Sequence, residues 1–272
     1  MSKMNTAINW KKVGKISSWS LILVAFAISV GFTESKQANL LCNDLRIAVN
    51  DSTGFAFVET SDIQNIVHDK FGELKGQTLS SINISLLEKI IDNNPFISAA
   101  EVFSTIDGKL NIEVKQRRPV VRILNFNHES FYIDDQGVFM PMSEKYTARV
   151  PVANGYIFDR EVEKSVRIVN DDVADTSVHL SRIEKVYKVA DYIHRHEFWS
   201  AQIEQIYVNA NGDMELVPRV GDHTILIGDD QQIHEKFEKL FLFYMEGLNK
   251  AGWNKYKVIN LKYKDQVVCT KK

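Results

Sequence analysis

Ser20 to Phe32 reads Ser-Leu-Ile-Leu-Val-Ala-Phe-Ala-Ile-Ser-Val-Gly-Phe, follows Trp19, and is preceded by a leader that carries Lys3, Lys11, Lys12 and Lys15 and no acid. A buried helix of a soluble domain needs a polar face, and here only Ser20 and Ser29 could supply one. Counted from Ile16 the stretch is about 17 residues, near the lower limit for a helix that crosses roughly 30 Å of hydrocarbon. Length alone therefore also admits a cleaved signal peptide. Three features favour a retained anchor. The basic leader is long, Trp19 stands where an interfacial aromatic belongs, and the small-residue triplet Ala25-Phe26-Ala27 lies inside the apolar run instead of after it. The expectation is a membrane helix over 19–32, its apolar surface made by Trp19, Leu21, Ile22, Leu23, Val24, Phe26, Ile28, Val30 and Phe32. The lysines hold the N-terminus in the cytoplasm, so the rest of the chain is exported.

That arrangement bounds the remainder. Of 272 residues, about 240 follow the anchor, enough for two domains with real cores. The whole chain has formal charge −2 with four lysines in the leader, so the exported part carries −6. A mildly acidic ectodomain without basic blocks is a poor nucleic-acid binder. Cys42 and Cys269 stand near the two ends of the exported part. Two cysteines do not make a disulfide scaffold, and whether they pair is left open.

The order of elements is legible up to about residue 118. Leu45, Ile47 and Val49 alternate as a strand, Asp51 to Gly54 turns, and Phe55 to Val58 resumes the apolar run. Ser61 with Gln64 has the spacing of a capping box before Ile63, Ile66, Val67 and Phe71. A second helix runs from Asn83 with Ile84, Leu87, Ile90 and Ile91 on one face, and Asn93-Asn94-Pro95 stops it. Residues 100–106 and 109–116 flank Asp107-Gly108, which predicts a two-residue hairpin turn with positive φ angles, and Pro119 ends the hairpin's last strand. The order is strand, helix, helix, strand, strand.

Further on, residues 156–175 are charge-rich and carry no clear period. Leu180, Ile183, Val186, Tyr187, Ala190 and Ile193 predict a helix from Ser177 to about His194-Arg195-His196. Ile203 to Val208, Met214 to Val217 and His223 to Ile227 predict a meander. A last helix from Gln231 buries Ile233, Phe237, Leu240, Phe241, Tyr244 and Leu248 and ends at Gly252. Lys257 to Val268 reads as one long closing strand.

Enzyme motifs are absent: no G-x-G pair, no phosphate-binding G-x-x-x-x-G-K loop and no G-x-S-x-G elbow occurs. His196-Glu197 and His234-Glu235 begin like a zinc-protease helix but lack its second histidine, and His194 and His196 face opposite ways on a helix. Asp134-Asp135-Gln136-Gly137 is a turn. No catalytic, cofactor or metal residue is expected.

Strand, helix, helix, strand, strand behind one export anchor resembles a POTRA domain. Three further stretches narrow the resemblance: Val114-Lys115-Gln116-Arg117-Arg118-Pro119-Val120, Tyr132-Ile133-Asp134-Asp135-Gln136-Gly137-Val138-Phe139, and Val150-Pro151-Val152-Ala153-Asn154-Gly155. Together they resemble the bacterial cell-division family FtsQ/DivIB over most of the chain, down to an apolar strand before a short polar end, although the long tail of many members is lacking. The resemblance implies an α+β molecule: a leader (1–18), the anchor (19–32), a spacer (33–42), a POTRA domain (43–118), a mixed β domain with two packed helices (119–269) and a tail (270–272).

The same resemblance implies an inner-membrane divisome scaffold at the division septum, with periplasmic domains that bind the small bitopic partners FtsB and FtsL and support septal peptidoglycan synthesis. Its last strand is where such partners dock. Lys262, Tyr263, Lys264, Asp265, Gln266, Val267 and Val268 are accordingly the expected partner-binding residues. Alternation would put Tyr263, Asp265 and Val267 on one face and Lys264, Gln266 and Val268 on the other, with Lys262 free to pair with an acid of the partner. Two rivals remain, an export or outer-membrane assembly factor and an exported hydrolase. The first would need downstream barrel strands or a second POTRA repeat, and neither is present in the sequence.

Overall fold

The computed structural model describes residues 40–50, 54–158 and 182–272. The expected anchor at 19–32 and most of the charge-rich stretch lie outside these residues. No helix among the described residues is long and apolar enough to cross a membrane. The chain divides into two compact units, one of residues up to Asn50, Glu59–Asn94 and Ala99–Lys115, the other of Asp51–Val58, Pro95–Ser98 and Gln116–Lys272.

The first unit follows the expected order. Strand β1 (Asp44–Asn50), helix α1 (Thr60–Phe71), a 3-10 turn (Leu79–Ser81), helix α2 (Ile84–Asp92) and strands β2 (Ile97–Ser104) and β3 (Lys109–Gln116) succeed one another. The sheet has the order β1-β3-β2, with β1 parallel to β3 from Asp44↔Lys109 to Asn50↔Lys115. Leu110, Ile112 and Val114 alternate inward along β3 and are buried with Ile63, Val67, Leu87 and Ile91 of the two helices. Alternation on the strand and three-to-four spacing on the helices thus supply the two apolar faces that a two-layer unit needs. Asn83 caps α2 by accepting from the Leu86 N–H at 3.0 Å.

Three local expectations are corrected. The capping box of α1 is formed by Glu59 and Asp62, whose carboxylate accepts the Glu59 N–H at 2.9 Å, and not by Ser61 and Gln64. The helix accordingly starts at Thr60, two residues before the start that a Ser61 cap implies. The hairpin loop spans Thr105 to Gly108: the Gly108 N–H donates to Thr105 O at 3.0 Å and the Thr105 N–H to Lys109 O at 2.9 Å. Only Gly108, at φ 82°, is left-handed, so the loop is wider than a two-residue turn. Finally, β3 stops at Gln116, and Pro119 opens the next strand, a first position where its missing N–H is tolerated.

The second unit is built on a nine-stranded sheet. Its strands are β4 (Pro119–Leu124), β5 (Ser130–Asp134), β6 (Phe139–Pro141), β7 (Val152–Gly155), β8 (Ile203–Val208), β9 (Met214–Pro218), β10 (Thr224–Gly228), β11 (Tyr256–Asn260) and β12 (Val268–Lys271). The spatial order is β12-β11-β10-β9-β8-β7-β4-β5-β6. β8, β9 and β10 form the expected antiparallel meander, while β4/β7, β7/β8 and β10/β11 pair in parallel. Helix α3 (Arg182–Arg195), helix α4 (Glu197–Gln202) and helix α5 (Ile233–Leu242) share one core with the sheet, centred on Trp199, Phe237, Ile206, Leu216 and Ile225. The α4 turn was not expected; it buries Trp199. α5 continues as a π-helical stretch (Phe243–Leu248) and a last turn (Asn249–Ala251), and ends at Gly252 as expected. Phe241, expected in the core, is 37% exposed, because its neighbours Phe237, Leu240 and Tyr244 already fill the inward face.

Asp134 stands at the end of β5 and is completely buried. Its carboxylate accepts from Arg117 Nη1 at 2.8 Å and from the Gln136 and Val138 N–H groups at 2.9 and 2.7 Å. The acid therefore builds the expected turn and is neutralised by a neighbour, a structural use of a buried charge.

Candidate functional site

The closing segment departs from its sequence reading. In place of one strand over 257–268 there are two, β11 and β12, paired antiparallel with Ile259↔Cys269 and Asn260↔Val268, and joined by a folded connection over 261–267. The local cause is visible in two residues. Asn260 Oδ1 accepts the Lys262 N–H at 3.0 Å, a side-chain turn that competes with the strand ladder, and Asp265 adopts φ 56°. The Leu261 N–H still reaches Leu226 O at 2.9 Å, and there the pairing with β10 stops.

Of the expected partner-binding residues, Lys262, Tyr263, Lys264, Asp265, Gln266 and Val267 lie in this connection, and Val268 alone lies in β12. Their alternation onto two strand faces does not exist. Lys262 also has a partner within the unit: its Nζ meets Asp213 Oδ2 at 2.6 Å, which holds its pKa up. Its aliphatic stem crosses Gly228, where a Cβ would stand 2.9 Å from Lys262 Cγ. Lys239 of α5 donates to Tyr263 O at 2.7 Å and Leu261 O at 3.4 Å. Two lysines thus tie down the connection, with Tyr263 half exposed at its crest and Val267 turned inward against the core.

What the connection presents is an edge. β12 is the terminal strand of the nine-stranded order, so one of its sides pairs with no strand among the described residues. Val268 is 42% exposed, Thr270 and Lys271 are exposed, and Cys269 packs inward, its thiol pushed up by burial. Beside the edge, α5 and the connection enclose a hollow of about 310 Å³ that includes Lys236, Leu242 and Tyr263, and next to it one of about 430 Å³ floored by Phe243, Gly247 and Val267. Lys272, next after β12, pairs with Asp222 at 2.5 Å. Sequence reading missed Cys269, Thr270 and Lys271 as strand residues. The signal that could have found them was Asn260 and Asp265, turn formers within an otherwise strand-like run.

No group of three or more His, Cys, Asp or Glu residues able to hold a metal occurs among the described residues. His234 pairs with Glu238 at 3.1 Å, which accounts for one near miss. Cys42 and Cys269 are both free thiols.

A three-stranded unit with two helices followed by a long mixed sheet that ends on an exposed C-terminal strand defines a class, the POTRA-like domain joined to a β domain. Residues 40–115 match the POTRA-like domain. Residues 118–270, more than half of the chain, match the family described as "FtsQ/DivIB, C-terminal related", and the chain belongs to the FtsQ/DivIB family. Among curated proteins it is similar to the cell division protein FtsQ of Geotalea daltonii, with 21% identity over 221 residues that cover 79% of this chain and 74% of the relative.

Proposed function

We propose that this protein is a divisome scaffold that works by binding, anchored in the inner membrane by residues 19–32 with its two folded units on the periplasmic side, and that it takes small bitopic partners of the FtsB/FtsL type at the β12 edge. The observation that carries the reading is the position of β12 at the end of the sheet, with one side that pairs with no strand among the described residues and with exposed side chains. An open edge offers a row of N–H and C=O groups to an incoming strand, and alternate side chains give selectivity. Family membership supports the setting in cell division. The basic leader and the apolar run support the topology. Chemistry on a substrate has no part in this reading.

The test is a pull-down of the tagged full chain from membranes of its own cells. The Leu261 N–H faces β10 and the Lys272 N–H donates to Lys255 O, so by alternation Val268 and Thr270 bond to β11 and the outward donors of β12 are Cys269 and Lys271. Lys271→Pro removes one outward donor and obstructs close approach of a second strand, whereas Lys271→Ala keeps the backbone. Loss of about three main-chain bonds at roughly 1 kcal/mol each corresponds to about a hundredfold weaker binding. Expected is capture of FtsB/FtsL-like proteins by wild type and Lys271→Ala and its loss in Lys271→Pro, with unchanged melting. Equal capture by all three would move the site elsewhere. A C-terminal periplasmic reporter that reads as cytoplasmic would overturn the topology.

A further inference from the structure

The first unit has its own terminal strand. β2 lies at the end of the order β1-β3-β2, and its outward side would be as open to a foreign strand as that of β12. It is not open. Glu88, on the second turn of α2, reaches over and accepts the backbone N–H of Val102 through Oε1 at 2.9 Å. Val102 lies within β2, its side chain buried in the unit's core. An N–H that donates to a side chain of α2 is not donating to the neighbouring β3, so this is an outward-facing group of the free edge. By the two-residue period of a strand, Ala100 and Ser104 present their main-chain groups on the same side. Glu88 therefore occupies the donor that lies between those of Ala100 and Ser104 on this edge.

The surroundings give that contact a purpose. Phe103 is 41% exposed on β2 and Ile106 is 85% exposed at the tip of the hairpin. A free edge flanked by large exposed apolar side chains is a sticky combination, and proteins blunt such edges with charge, proline or brevity. The last strand at the far end of the larger sheet, β6, is blunted in another way: it is three residues long and ends in Pro141. β2 has eight residues and no proline.

We propose that Glu88 is an edge guard, a built-in contact that keeps β2 from pairing with β2 of a second copy of this chain. The second copy is the occupant to expect when the guard is removed, because proteins gathered at one membrane site meet copies of themselves and two identical β2 edges are self-complementary about a twofold axis in antiparallel register. The guard works by occupying a donor, so it needs an acceptor oxygen and not a charge. This inference does not depend on the partner site at β12.

The test uses the full chain in detergent micelles, with mass measured by sedimentation velocity over a range of protein concentrations and with hydrogen exchange followed on the peptide that covers 97–104. Glu88→Ala should associate to a dimer in a concentration-dependent way that wild type does not show, and the 97–104 peptide should become more protected as the dimer forms. Glu88→Gln, which keeps the acceptor oxygen, should behave as wild type. Adding Ser104→Pro to Glu88→Ala should return the protein to wild-type mass, since proline removes an outward donor without touching the ladder to β3. Thermal melting checks that each variant is folded. A Glu88→Ala protein that melts cooperatively and keeps wild-type mass at every concentration would overturn the guard, as would a dimer that Ser104→Pro leaves intact.

Discussion

Gly108 is where local conformation and packing coincide. Its φ of 82° suits glycine, and a Cβ there would stand 2.7 Å from Leu41 O and 2.6 Å from Asn43 Nδ2. Gly108→Val should therefore destabilise the first unit by about 2 to 3 kcal/mol, strain and clash acting together, read as a drop in its chemical-denaturation midpoint. His223 makes a different prediction. It is buried, its Nε2 lies 2.8 Å from the Tyr244 hydroxyl, and its Nδ1 has no hydrogen-bond partner. Burial lowers its pKa from the usual 6.5, with Asp222 opposing and Lys272 assisting. Below pH 6.5 the unfolded chain then binds a proton that the folded chain resists, so stability should fall as pH drops through 6.5 towards the lower folded pKa. His223→Gln should flatten that fall in denaturation curves taken between pH 7.5 and pH 5, both values being about the range where only histidine titrates strongly. A wild-type profile as flat as the variant's would mean that the ring is solvated.

At the scale of elements, the last helix and the strands after it are instructive. α5 begins regularly and loosens into a π-helical stretch over Phe243–Leu248, which contains Gly247. A Cβ on Gly247 would stand 2.8 Å from the Phe243 ring, and that ring packs on Tyr256 of β11 with centroids 5.8 Å apart. Alanine normally improves a helix by about 1 kcal/mol over glycine. Here the sign should invert, because the ring would have to leave its place against β11, and overpacking of this kind costs about 1 to 3 kcal/mol. Gly247→Ala is expected to lower the melting temperature of the second unit. The apolar spacing of the helix was legible, since Phe237, Leu240, Tyr244 and Leu248 follow steps of three and four. The wide turn was not, because one added residue in a turn answers to the packing of Phe243 and leaves little trace in composition. The same holds for the end of the chain. Apolar residues run on from Lys257 to Val268, and what folds them back is an Asn260 side chain, two lysines that reach in from α5 and towards Asp213, and a single left-handed Asp265.

At the scale of the molecule, the second unit includes pieces that precede it in the chain. Gln116 is buried, and its amide accepts from the Phe57 and Val58 N–H groups at 3.0 and 3.1 Å and donates to Phe55 O at 3.1 Å. Phe57 stacks on Phe96 at 5.4 Å and meets Tyr132 and Tyr146 edge-on at 6.0 and 5.0 Å. Arg117 neutralises Asp134. A fragment cut at residue 118, where the family match begins, loses Gln116, Arg117 and both aromatic segments, and leaves Asp134 buried without its cation. Removal of one partner of a buried pair alone costs about 3 to 5 kcal/mol. Residues 118–272 should thus melt well below the same unit in a chain that begins at residue 40, as calorimetry of the two fragments would read. Matching transitions would show that the earlier segments only decorate the unit.

By itself the sequence determined the period of each long element, the strand, helix, helix, strand, strand order, the buried alternation of Leu110, Ile112 and Val114, the β8-β9-β10 meander, and enough local pattern to identify the family. These are one-dimensional properties, because a helix or a strand declares its buried face through spacing along the chain. Only the tertiary structure decided that Lys262 pairs with Asp213, that Glu88 covers Val102, and that Gln116 holds Phe55 to Val58. Each of these is a hydrogen bond or ion pair between residues brought together by the fold. Spacing along the chain says which face a side chain takes, and the partner it finds there depends on a neighbour contributed from elsewhere in the sequence.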